Sequence, residues 1–127
     1  MPLLSKEDVV IPSGGISRFF EELPALAERH GAIYNAFGHV ADGNIHMTIF
    51  PMSDMAGSEL RKASEAVCRE LYDLVKSLGG TLSGEHGIGL KRKKYTDIFL
   101  NEAHIALIKR LKAAFDPNGI LNPGKIV

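Results

Sequence analysis

Only one cysteine stands among the 127 residues, Cys68, so no internal disulfide can form. That usage suits a reducing cytoplasm better than a secreted scaffold. The chain also lacks an excess of charge. Lys plus Arg and Asp plus Glu number 15 each, the formal net charge is zero, and no global field draws the chain to nucleic acid or anionic lipid. No apolar stretch is long enough to span a bilayer, and MPLLSKEDVVIPSGG has neither the basic segment nor the apolar run of a signal peptide. No internal repeat or low-complexity linker interrupts it. What remains is 45% hydrophobic and 24% charged, the composition of a folded soluble protein, and its length is that of one domain around a single core. Specificity must then come from a local site.

The run Val9, Val10, Ile11, ended by Pro12 and Ser13-Gly14-Gly15, predicts a brief strand. From Ile16 the apolar residues Phe19, Phe20, Leu23, Leu26 and Ala27 recur at helical spacing to about Arg29, with Pro24 implying a kink or late start. Between Ala32 and Phe50 the period falls to two, and Asp42-Gly43 is the preferred dipeptide of a tight hairpin turn. Leu60, Ala63, Val67, Leu71, Leu74, Val75 and Leu78 mark a long amphipathic helix, started by Ser53 or Asp54 and stopped by Gly79-Gly80. Cys68 falls inside it, as buried filler. Thr81 to Ser83 can hold a short strand. A last helix from Glu102 to Ala114, capped by Asn101, presents Ile105, Ile108, Leu111 and Phe115 and ends in the turn DPNG. The tail LNPGKIV, with its two breakers, reads as an extended arm. The order βαββαβα predicts an α+β fold, a ferredoxin-like antiparallel sheet with helices on one face.

A two-residue turn at Asp42-Gly43 would pair Ala41 with Asn44, Val40 with Ile45 and His39 with His46. Two histidines directly across a hairpin can share one metal ion, while Val40, Ile45, Met47 and Ile49 would fill the core face. Two histidines also decorate ordinary solvated sheet faces, so a third ligand is required. SGEHGIGLK offers one. Glu85 and His86 sit between Gly84 and Gly87, in a turn that can aim two side chains into a confined site. A carboxylate with two imidazoles suits a catalytic divalent metal, leaving His86 as a general acid/base. Glu85 as a helix-start carboxylate and His86 as a surface residue is the competing reading. The loop is neither GxGxxG nor a P-loop, which argues against phosphate binding. Lys91-Arg92-Lys93-Lys94 reads as a solvated helix face, and His30 and His104 have no assembled partners.

Four stretches, EDVVIP, GHVADGNIH, GTLSGEHGIGLKR and FDPNGILNPGKIV, together resemble the C-terminal cap domain of FAD-linked oxidases of the vanillyl-alcohol oxidase superfamily. That family includes the glycolate oxidase flavin subunit, D-lactate dehydrogenases and D-2-hydroxyglutarate dehydrogenase. The resemblance covers nearly the whole chain. It implies that His39, His46 and Glu85 bind a divalent metal (zinc, manganese or iron), that His86 is the base near the flavin, and that Asn122 approaches the flavin or the active site. It implies oxidation of a D-2-hydroxy acid to a 2-oxo acid by hydride transfer to FAD. Ala41 stands where the family pattern usually has glycine. Thr48 stands where hydroxyglutarate-type enzymes have asparagine, which leaves the substrate open. The flavin-binding domain and the earlier Arg and Lys substrate ligands lie outside these residues. The chain is therefore expected to be a fragment that binds no flavin and turns nothing over alone. Its expected partners are a flavin domain in cis, a redox subunit, or a second copy through the bare domain surface. The alternative is a stand-alone ferredoxin-like module that binds a metal or small acid without redox chemistry.

Overall fold

A computed structural model describes residues 2–126. Met1, in the segment read for a signal peptide, and Val127, the last residue of the expected arm, lie outside them. The chain divides into two compact units, 1–86 and 87–127.

In the first unit β1 spans Ser5–Val10, α1 Ile16–Arg29, β2 Ala32–His39, β3 Asn44–Pro51 and α2 Gly57–Ser77. The strands form an antiparallel sheet in the order β1-β3-β2. Thr81 adds one antiparallel bridge to Val10, so the strand expected at 81–83 shrinks to a single pairing on the outer edge of β1. This is the α+β arrangement that the sequence predicts. Val9, Ile45, Met47 and Ile49 point to one face and are at most 4% exposed, covered by the apolar stripes of the helices.

Helix α1 runs through Pro24 rather than starting after it. An interior proline costs about 3 kcal/mol. Burying Phe19, Leu23 and Leu26 returns roughly 1.5–3 kcal/mol each, so continuing the helix wins. Helix α2 buries Val67, Cys68, Leu71, Tyr72, Leu74 and Val75, and Cys68 is packing as expected. Its start uses neither Ser53 nor Asp54: Ala56 is the cap, without a side-chain hydrogen bond. Its end is the predicted glycine stop. Gly79, at φ +76°, donates to Lys76 O and Gly80 donates to Val75 O, each at 2.9 Å. His30 does have a partner, since its Nε2 lies 2.6 Å from Glu70 Oε2, and Arg29 binds the same carboxylate.

In the second unit Lys93–Tyr95 form a short 3-10 turn before α3 (Thr96–Phe99), and α4 spans Glu102–Phe115. The basic run is thus no helix face, and its Arg92 is buried, with Nη1 donating to Gly87 O at 3.0 Å. Asn101 caps α4 as expected, accepting from His104 N–H at 3.0 Å. No residue of α4 is fully buried, however: in its apolar stripe Ile105 and Ile108 are half-buried and Leu111 and Phe115 exposed. Residues 121–125 form bends and a turn, with Lys125 N–H donating to Asn122 O, instead of an extended arm.

Candidate active site

The hairpin closes differently from its dipeptide signal. A type I′ turn needs positive φ at both central residues, and Asp42 does not have it. Residues 40–43 form the connection instead. Asp42 N–H donates to His39 O (3.0 Å) and Gly43 N–H to Val40 O (3.3 Å). Gly43, at φ +70°, is drawn against the end of β1, where Ile11 N–H donates to its carbonyl at 2.9 Å. A Cβ there would meet Ile11 O at 2.0 Å, so the position needs glycine for close approach as well as for φ. As a result His39 pairs with Asn44, and Phe37 takes the place opposite His46. Val40, expected in the core, is 72% exposed in the turn.

This slide of two residues leaves the side chains of the paired strand residues on the faces expected for them, Val40 in the turn excepted. His39 and His46 still share the face opposite the helices, now diagonally, with ring centroids 6.3 Å apart. Phe37 leans on His46 with centroids 5.3 Å apart. On the other side of β3, Asp8 pairs with His46.

Asp8 escaped the sequence reading, which took only the β-branched run after it as strand. Its side chain has no exposed surface. Oδ2 accepts from Ser83 Oγ (2.9 Å) and from three successive backbone N–H groups, Gly84 (3.1 Å), Glu85 (3.0 Å) and His86 (2.8 Å). Burial pushes the Asp8 carboxyl up. The N–H groups of His86 and Glu85, the Ser83 hydroxyl and the nearby His86 ring outweigh burial and hold it below the ordinary carboxylate range. The loop thereby wraps around an ionised oxygen, and Glu85 and His86 project from it.

Glu85 Oε1 lies 3.2 Å from His46 Nε2 and 3.6 Å from His86 Nε2. The His46 and His86 rings are tilted together with centroids 5.4 Å apart. His46 is largely buried, while Glu85 and His86 are more than half exposed. A cleft of about 350 Å³ is lined by Lys6, Phe37, His46, Thr48, Glu85 and His86 among others. A second, of about 370 Å³, is lined by His39, Asp42, Asn44 and Glu85 among others. Glu85 thus faces both. Asn122 lies in the second unit, with φ +46°.

The spacing of one donor pair suits a divalent cation. Two ligand atoms about 2.1 Å from one tetrahedral ion stand roughly 3.4 Å apart, close to the His46–Glu85 separation. Asp8, His46 and His86 also each bring a ligand atom within 4.8 Å of the other two. Both this set and the expected His39, His46 and Glu85 draw on His46. The buried Asp8 Oδ1 and Asn44 Oδ1 have no hydrogen-bond partner, which leaves acceptor capacity inside the site.

Residues 2–126 match the family of FAD linked oxidases, C-terminal domain. The chain belongs to this family. The C-terminal domain is 34% identical over 123 residues to the D-2-hydroxyglutarate dehydrogenase of Stutzerimonas stutzeri (strain A1501), covering 95% of the chain and 26% of that relative. It is 34% identical over 125 residues to glycolate oxidase subunit GlcD of Bacillus subtilis (strain 168), and 37% identical over 125 residues to the D-lactate dehydrogenase of Anaerostipes hadrus. Each of these two matches covers 98% of the chain and 26% of the relative. The chain therefore spans about a quarter of the length of these curated relatives. Among the described residues no helix is long and apolar enough to cross a membrane.

Proposed function

We propose that this domain is the metal- and substrate-binding part of an FAD-dependent D-2-hydroxyacid dehydrogenase or oxidase of glycolate or D-lactate type. The observation that carries the reading is the approach of Glu85 Oε1 to His46 Nε2 at 3.2 Å, beside the ring of His86. His39, His46 and Glu85 hold a divalent cation, and His86, more than half exposed at the cleft, takes the substrate hydroxyl proton at a ring nitrogen. When bound, the flavin supplies the hydride acceptor, and the cation supplies a Lewis acid for the substrate's carboxylate and hydroxyl oxygens. Loss of the hydroxyl proton to His86 and of the α-hydrogen with its electron pair leaves a 2-oxo acid. Phe37 and Thr48 line the cleft beside these groups and bound the space for the substrate's tail. Asn122 adds a contact to the flavin, which is held mainly by residues beyond this chain.

The test is elemental analysis of the 127-residue chain after loading with Zn²⁺ or Mn²⁺ and desalting, beside His46→Ala. One equivalent in the wild type and little in the variant supports the reading. Equal metal content defeats it. Mixed with FAD, the same chain takes up no stoichiometric flavin; uptake would contradict the division of labour.

A further inference from the structure

We propose that the outer edge of β2 docks a second copy of this chain: two β2 strands pair antiparallel about a two-fold axis at Asn35, and the partner's Ile33 covers Phe37 beside the cleft. The docking is independent of any metal at His46.

Hydrogen-bond phase decides which backbone groups are free. In an antiparallel ladder, successive residues of a strand turn their N–H and C=O to opposite sides. Met52 N–H donates to Gly31 O at 2.8 Å, and Gly31 is in step with Ile33, Asn35 and Phe37, the partners of Phe50, Thr48 and His46. Those residues bond β3, so Tyr34, Ala36 and Gly38 turn their backbone groups away from it. Among the described residues none of these three makes a backbone hydrogen bond outside the sheet. The opposite edge of the sheet follows the same phase but is closed. There Asp8 O accepts from Gly84 N–H at 3.3 Å, and Val10 O accepts from Thr81 N–H at 2.8 Å.

An open strand edge is a template for another strand, and monomeric proteins block it with lysine, proline or a bulge. Residues 31–41 contain no proline and no Asp, Glu, Lys or Arg, and the register with β3 runs unbroken from Ala32 to His39. A copy therefore meets a copy without like-charge repulsion, and the ladder of the sheet continues across the axis. Outward-turned residues must pair with outward-turned residues, so the axis falls on a residue rather than between two. Placed at Asn35, it pairs Tyr34 with the partner's Ala36, and Ala36 with the partner's Tyr34, each through two backbone bonds. On the cleft face it sets Ile33 opposite the partner's Phe37, with Cβ atoms roughly 4.5–5.5 Å apart. Ile33 is 45% exposed and Phe37 63%, and they are the large apolar side chains that this strand leaves to water. Moving the axis to Tyr34 or Ala36 sets Ile33 opposite the partner's Asn35 or the partner's His39 instead. Two three-stranded sheets become one of six strands, with both clefts on the same face. Phe37 lines the cleft and leans on His46 with ring centroids 5.3 Å apart, so the partner's Ile33 braces that wall.

The experiment is sedimentation equilibrium of the 127-residue chain from micromolar to millimolar concentration, beside three variants. The wild type should show a monomer–dimer equilibrium. Asn35→Lys sets two ammonium groups against each other at the axis and should stay monomeric, with a native ¹⁵N–¹H spectrum. Asn35 meets its own copy at a Cα separation of about 4.5 Å, within disulfide reach, so Asn35→Cys should cross-link under mild oxidant. Ile33→Cys faces the partner's Phe37 and should not. The wild type, whose Cys68 is buried, is the uncross-linked control. A wild type that is monomeric throughout leaves the edge to a strand of a different polypeptide and overturns the proposal. So does a dimer that Asn35→Lys leaves intact, or cross-linking of Ile33→Cys in preference to Asn35→Cys. Should Asn35→Lys not fold, the cross-linking pair decides alone.

Discussion

Gly84 packs so tightly beneath Asn44 that a methyl group on its Cα would lie 2.7 Å from the Asn44 amide oxygen. The same methyl would stand 2.9 Å from Asp8 Oδ1. Both neighbours are buried, and Asp8 is held by four donors, so neither can retreat freely. Gly84→Ala should therefore cost about 1–3 kcal/mol in urea unfolding and shift the amide resonances of residues 84–86. Wild-type stability with unmoved resonances would show that the loop is looser than this packing implies.

Two ligand sets share His46, and single substitutions separate them. With His39, His46 and Glu85 as ligands, His39→Ala and Glu85→Ala should each weaken Zn²⁺ binding more than about tenfold, and His86→Ala far less. The reverse ranking, read by calorimetric titration, would favour Asp8, His46 and His86.

The two amphipathic helices should respond unequally to the same truncation. Leu71 on α2 is fully buried, so Leu71→Ala should lose about 2–5 kcal/mol. Leu111 on α4 is half exposed, and Leu111→Ala should change stability by less than about 0.5 kcal/mol. Comparable losses in thermal or urea unfolding would mean that α4 buries its stripe in solution.

Glu70 supplies a pH dependence with a definite sign. The Arg29 hydrogen bond outweighs partial burial and, with His30, holds the Glu70 carboxyl below its ordinary value of 4.5. A depressed carboxyl contributes stability above the unfolded-state value and loses it as pH falls through the folded-state value. The group is 38% exposed, so solvent screening limits the contribution to about 1 kcal/mol or less. The stability difference between wild type and Glu70→Gln should be level above about pH 5 and shrink below about pH 4. A difference that persists unchanged at low pH would remove the ion pair from the account.

Period carried the sequence reading far. Helix α1 lies at the residues predicted for it, and both hairpin strands and α2 lie close to theirs, because each presents a face that the core must cover. The histidines kept their face for the same reason, although the turn was misread. The preference of Asp-Gly for a tight reversal was overridden by the tie between Gly43 and Ile11, a contact distant in sequence. Asp8 was missed because its work is done by backbone N–H groups from residues 84–86, which no side-chain pattern records. The adjacent acids Glu7 and Asp8, inside a strand, were the available signal: consecutive strand residues point to opposite faces, so one of the two shares the face of the histidines. For α4 the spacing named the apolar face but could not say whether anything covers it.

The dependence of residues 83–86 on Asp8 bears on how portable the Ser-Gly-Glu-His signature is. Grafted onto another scaffold, the tetrapeptide would bring its glutamate and histidine but not the buried anion around which they are folded. A transplant would have to carry the edge strand with it, and a designer copying only the signature should expect a floppy loop with no preferred orientation of either side chain.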